Sequence, residues 1–383
     1  MKPYSNEFKL LLEASQIPPS TEVITELFNK GIHQGYLFSL AIANGVLPLL
    51  YGVLKTTSHI NVDKSFQRQA IQIQNTNFVM SAQLLQIIHL LKEKKVELIP
   101  IKGPLLSQHA YKDISLRPFS DLDILAKEED LLEISQTLLS LGYKSEKDLA
   151  VLKHPYILEK FSDFSFTHPQ TGLVIELHWK LLKTATAVLS NIADLFENKI
   201  SIPFQNTSLN SLPLEEEFLY LCLHGAKHRF ERIEWMNDLN RLFELYHEKY
   251  DYQKLLSMAK KEDSLSSYLL ALRILHLSYK RSISDTQTLQ LMNGRKIKVL
   301  YEKVFSLHAK DYILQTKKEG IRWMELLFSI RLEDNFLKKI MILKSIIFPL
   351  YMDDILNMKK IPDSLTFLYY LKRLSRYIKT KVL

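Results

Sequence analysis

Two carboxylates one residue apart, Asp121 and Asp123, sit in the apolar run Asp-Leu-Asp-Ile-Leu-Ala over 121–126. Side chains alternate faces along a β-strand, so both acids point one way while Leu122 and Ile124 point into a core. Like charges fixed this close repel, and a bound cation relieves the repulsion. Hard divalent ions such as Mg²⁺ take carboxylate oxygens together with phosphate oxygens and water. Upstream, Lys102-Gly103-Pro104 follows the apolar segment 97–101, where Pro104 can open a helix. Gly103 permits close backbone approach, and the helix N-terminus offers free N–H groups to phosphate. Lys102 and Arg117 are natural partners for phosphate oxygens. Glu176 lies in a second strand-like run, Leu-Val-Ile-Glu-Leu-His-Trp over 173–179, and shares a face with His178. It can accept a proton from an attacking hydroxyl or ligate a metal ion. His178 is open to two readings, a contact to base, phosphate or acceptor, or a structural histidine beside Trp179. The pattern points to metal-assisted phosphoryl chemistry.

The elements that must position these residues are read from periodicity. Residues 5–95 predict helices only, including one long helix over Val62–Lys95. The uncharged stretch Leu37–Leu54 is broken by Asn44-Gly45 and Pro48, so it predicts two buried helices and a tight turn, not a membrane span. Strands are expected at 97–101, 121–126, 161–167 and 173–179, the last two joined by His-Pro-Gln-Thr-Gly as a hairpin. A helix over Glu128–Leu141 closes at Gly142. From Pro213 onward helices return. The expected fold class is α+β: a small mixed sheet embedded in a predominantly helical chain. The expected divisions are an N-terminal helical region 1–95, a core 96–205, a helical domain 206–335 and a basic helical tail 336–383.

Lys-Gly before a helix, Asp-x-Asp on the next strand and an acid on a later strand resemble the polymerase-beta-type nucleotidyltransferases. The chain is closer to the bacterial uncharacterised nucleotidyltransferase family. It carries Ile-Lys-Gly-Pro (101–104), Arg-Pro-Phe-Ser-Asp-Leu-Asp-Ile-Leu (117–125) and Ile-Glu-Leu-His-Trp (175–179). His-Gly-Ala-Lys-His (224–228), Trp-Met-Asn-Asp-Leu (235–239) and an early Gly-Val-Leu-Pro-Leu-Leu (45–50) complete the set. Two residues depart from the pattern: Lys102 replaces the first small residue of the superfamily's turn, and Glu176 stands where the family more often has Asp. The resemblance implies catalytic and metal-holding roles for Asp121, Asp123 and Glu176 with Mg²⁺. It implies nucleotide contacts from Lys102, Gly103, Arg117 and His178. His224, His228, Trp235 and Asp238 are expected to line the cleft as a polar network. His224 and His228 have the i,i+4 spacing of zinc ligands, but Gly225 stands where a metalloprotease has Glu.

Composition bounds the rest. In 383 residues, 46% are apolar and 24% charged, values of an ordinary globular protein. Cys222 is the only cysteine, so no internal disulfide forms, which fits a reducing cytoplasmic setting. Net charge is +8, and residues 336–383 hold ten Lys/Arg against three Asp, a net +7. Such a tail can attract nucleic acid, anionic lipid or an acidic partner, or it is a solvated helix face. Three functions follow. The first is an Mg²⁺-dependent transfer of a nucleoside monophosphate from a nucleoside triphosphate to a hydroxyl or phosphate of an unknown acceptor (a small molecule, sugar, peptide or protein). The alternatives are a nucleic-acid-modifying nucleotidyltransferase and a catalytically silent nucleotide-binding scaffold. No dinucleotide, Walker or serine-nucleophile motif competes.

Overall fold

Five helices precede the first strand: α1 (Asn6–Ala14), α2 (Thr21–Asn29), α3 (Gln34–Ala43), α4 (Leu47–Thr56) and α5 (Lys64–Glu93). The computed structural model describes residues 4–57, 60–181, 191–309 and 320–347, with 314, 352, 355 and 368. Helix α3 stops at Asn44-Gly45 and α4 restarts with Pro48 in its first turn, as the breakers predict. Asp63 caps α5, its carboxylate accepting from the Ser65 N–H. No helix among the described residues is long and apolar enough to cross a membrane.

The sheet has four strands: β1 (Ile99–Pro100), β2 (Asp121–Leu125), β3 (Asp163–Thr167) and β4 (Val174–His178). Their order is β1-β2-β4-β3, with β2 and β4 parallel and the outer pairs antiparallel. The expected first strand shrinks to two residues because Pro100 has no N–H to extend a ladder. The connections carry α6 (Gly103–Tyr111), α7 (Leu131–Ser140) and the short α8 (Pro155–Lys160). The expected helix from Glu128 opens as a 3₁₀ turn, Glu128–Asp130, and the chain turns at Gly142 with φ +89°.

After α9 (Ile192–Glu197), a second hairpin, β5 (Ile200–Phe204) and β6 (Thr207–Ser211), packs beside β1 and α6. The expected boundary at 205 falls in its turn. Among the described residues eight helices follow: α10 (Leu214–Lys227), α11 (Ile233–Tyr246), α12 (Tyr252–Lys261), α13 (Leu265–Ser278), α14 (Thr286–Met292), α15 (Arg295–His308), α16 (Gly320–Leu332) and α17 (Phe336–Ile347). Most of the basic tail, including the helix expected over 363–378, lies outside the described residues.

Two apolar clusters explain how the sheet is held. Leu122 and Ile124 of β2 pack with Ile175 and Leu177 of β4 and with Met80, Leu84, Ile87 and Leu91 of α5. Helix α5 is thus part of the sheet's support, although the expected boundary at 95 separates them. Leu125, on the opposite face of β2, joins the larger cluster built by α1–α4 and α10–α15. Alternation therefore turns Asp121 and Asp123 toward the helical half of the chain. The acids sit where sheet and helices meet.

Candidate active site

Parallel pairing of β2 and β4 sets Asp123 beside Glu176 and Leu125 beside His178. The three polar side chains converge: one ligand atom each from Asp123, Glu176 and His178 lies within 4.8 Å of the others. His178 Nε2 is 3.0 Å from Asp123 Oδ1 and 3.5 Å from Glu176 Oε2, so the imidazole bridges the two acids. Lys102 Nζ lies 3.0 Å from the other oxygen of Asp123, Oδ2. The Asp123 side chain is only 2% exposed, whereas that of Glu176 is 35% exposed.

Electrostatics follow this geometry. Burial works against ionisation of Asp123, but Lys102 and the hydrogen bond from His178 hold its carboxyl below the usual range. Burial alone would lower His178, yet its bonds to Asp123 and Glu176 lift it to about 9, so it carries a proton at neutral pH. Asp121 shares the face, and burial and the Asp123 charge push its carboxyl up. Asp121 is not part of the tight three-residue cluster. The cost of crowding acids falls on Asp121.

Lys102 immediately precedes α6, and Gly103 takes φ +55° there, the left-handed region that favours glycine. Tyr220 of α10, buried and not singled out from the sequence, is close enough to interact with Lys102 and Asp123. One helical turn on, His224 feels both Lys102 and Asp123. Exposed Lys227 is in electrostatic reach of Asp163 and Glu176. Helix α10 therefore roofs the acidic face through Tyr220, His224 and Lys227. Asp163 is a further acid on this face, directly across from His178 in the β3–β4 ladder.

The expected cleft network divides in two. His224, His228 and Trp235 do come together, with ring centroids 4.9, 5.6 and 5.1 Å apart pairwise. Burial and the Lys102 charge push His224 well down; burial and Lys227 bring His228 to about 4, so both rings are neutral. Asp238 stands apart from them. Its two oxygens accept from Arg117 Nε at 2.8 Å and Nη2 at 3.0 Å, and Tyr111 donates to it at 2.9 Å. Arg117 Nη2 also meets Glu234 Oε1 at 3.1 Å. The guanidinium expected on phosphate is instead buried and committed to two acids of α11.

The turn at Asn44-Gly45 fixes the start of that helix. A Cβ on Gly45 would lie 1.9 Å from Glu234 Oε2, and its φ is +66°. Gly225 is likewise tight, since a Cβ would meet the Phe230 ring at 2.1 Å. These contacts give the Gly-Val-Leu-Pro and His-Gly-Ala-Lys-His stretches a physical reason: both let backbone approach the helices that carry the site.

The chain is an α+β protein whose acid-bearing strand pair lies against helices, and its family is that of nucleotidyltransferases. The chain belongs to the family described as uncharacterised nucleotidyltransferase, which matches residues 30–280. Among solved structures it is similar to the lincosamide antibiotic adenylyltransferase LnuA with lincomycin bound. That likeness has 17% identity and a TM-score of 0.27, over 36% of this chain and 83% of that one. It is also similar to an antigenic nucleotidyltransferase-like protein from Paracoccidioides brasiliensis, at 12% identity and a TM-score of 0.29, over 56% and 96% of the two chains. Curated proteins give no match.

Proposed function

We propose that the chain transfers a nucleoside monophosphate from a nucleoside triphosphate to a hydroxyl or phosphate oxygen of an acceptor, with Mg²⁺ as cofactor. The carrying observation is the Asp123–Glu176 register of adjacent parallel strands, with His178 completing a cluster of ligand atoms within 4.8 Å. The carboxylates of this cluster fit a hard divalent cation, with His178 holding them in place. Asp121, Asp123 and Glu176 are the residues assigned to hold it. When bound, the metal neutralises phosphate charge and makes the acceptor oxygen a better nucleophile.

The chain's own residues account for the rest. The N-terminus of α6 and Gly103 take phosphate oxygens through backbone N–H groups, and Lys102 adds charge. Exposed Lys227, and not the buried Arg117, is the second cation for the polyphosphate. The acceptor oxygen bonds to the α-phosphorus as the bond to pyrophosphate breaks, and Glu176 receives the acceptor's proton. The more exposed position of Glu176 supports that role. His178, already protonated, donates hydrogen bonds and orients both acids.

The test is incubation with α-labelled triphosphates, Mg²⁺ and pools of small-molecule and protein acceptors. Label should enter an acceptor with wild-type protein and fail to do so with Asp121→Ala/Asp123→Ala. Equal labelling by both proteins would refute the assignment.

A further inference from the structure

We propose that Lys102 is a tethered cation that occupies the acid cluster before substrate arrives, then passes to the triphosphate when a metal ion takes its place on Asp123. The inference deepens the metal-dependent reading above and rests on it.

Both oxygens of Asp123 are engaged in the resting chain, Oδ2 by Lys102 Nζ and Oδ1 by His178 Nε2, each at 3.0 Å. A cation approaching Asp123 therefore meets a positive or N–H group already on each oxygen, and charge repulsion favours displacing one of them. His178 is the harder to move, because its ring is held by Glu176 as well. Lys102 carries a compact charge on a flexible stem, and its ammonium needs no planar match to a new partner. The backbone of Lys102 leads directly into Gly103 at the start of α6, so its side chain springs from the phosphate-facing end of that helix. The Tyr220 hydroxyl lies close enough to interact with both the ammonium and Asp123.

Energetics require such an occupant. Asp121, Asp123 and Glu176 share one face, and Asp123 is almost fully buried. Buried carboxylates without partners are strongly destabilising, and with Lys102 gone from Oδ2 His178 alone would remain on Asp123 to offset this group of acids. A free metal ion would have to expel Lys102 into a site with no anion to receive it. A metal ion arriving on a triphosphate brings that anion. Metal and nucleotide should therefore bind as coupled ligands, each raising the affinity of the other.

Mn²⁺ titration by calorimetry on the full chain tests this, with and without a non-hydrolysable triphosphate, for wild type, Lys102→Met and Lys102→Arg. Wild type and Lys102→Arg should bind free Mn²⁺ weakly and gain at least about tenfold in affinity with triphosphate. Lys102→Met should bind free Mn²⁺ at least about tenfold more tightly than wild type, with less coupling to nucleotide. Its melting temperature should lie below that of wild type in chelator and recover with Mn²⁺. If Lys102→Met folds only when Mn²⁺ is present, the inference is supported; failure to fold with Mn²⁺ also present overturns it. Equal free-Mn²⁺ affinity in wild type and Lys102→Met overturns the role of Lys102, while triphosphate-dependent Mn²⁺ binding keeps the metal reading alive. No Mn²⁺ binding by any of the three proteins, even with triphosphate, overturns both.

Discussion

Asn44 caps a helix that begins 189 residues later in the chain: its side-chain Oδ1 accepts from the backbone N–H of Ile233 at 3.1 Å. The Asn44 carbonyl accepts from the next N–H, that of Glu234, also at 3.1 Å. The first turn of α11 lacks a cap from its own N-cap residue, Arg232, and is completed by this distant turn. Asn44→Ala should therefore cost about 1–2 kcal/mol of stability. Gly45→Ala should cost more, since it adds both a left-handed strain and a clash with Glu234. Urea denaturation of the two variants checks the order, and a Gly45→Ala protein as stable as wild type would contradict the packing described.

Arg117 forms a two-pronged buried ion pair with Asp238 and also meets Glu234, so removing Arg117 strands Asp238 while removing Asp238 leaves Arg117 on Glu234. Arg117→Met should lose about 3–5 kcal/mol and Asp238→Asn less, while the double variant should lose less than the sum. A double-mutant cycle in chemical denaturation measures this. If Arg117→Met kept full stability and only weakened triphosphate binding, Arg117 would be a phosphate ligand after all.

The proton on His178 makes stability depend on pH in a defined direction. Its folded pKa, about 9, lies above the ordinary value of 6.5. The imidazolium's contribution is therefore complete below about 6.5 and is lost as pH rises through 9. The lowered carboxyl of Asp123 acts at the other end, its contribution being lost as pH falls below the ordinary carboxylate range. Both reflect one interaction and are not additive. Unfolding free energy measured from pH 6 to 10 without metal should fall for wild type and be flatter for His178→Gln. Identical slopes would rule out the bridge.

Asp121 sets function against stability. Its raised carboxyl means that keeping Asp121 ionised costs more in the folded chain than in the unfolded one. Asp121→Asn should raise the melting temperature of the metal-free protein while reducing nucleotidyl transfer by about a hundredfold or more. Thermal melts in chelator paired with label-transfer rates separate the two effects. A variant both less stable and fully active would contradict the assignment.

The parts of this site that were legible in the sequence are those that obey local rules. Alternation alone placed Asp121 and Asp123 on one face, and the His168–Gly172 turn chemistry gave the hairpin that carries Glu176 and His178. The same alternation, carried back through that turn, also places Asp163 opposite His178, a step the reading omitted. Tyr220 was detectable one turn before His224 on a helix already predicted. The β5–β6 hairpin escaped because Pro203 interrupts its first strand and its second is short and polar. What no local rule reaches is partner choice across the chain. Nothing around Arg117 distinguishes a phosphate-binding arginine from one destined for Asp238, 121 residues away.

Those long-range ties bear on modularity. With Arg117 locked to α11 and α11 begun by a turn near the N-terminus, the acid-bearing sheet is no portable cassette. An excised fragment of it would lose the acids that pair Arg117 and the helix that carries Tyr220 and His224. Grafting this chemistry onto another scaffold would mean transplanting the flanking helices as well.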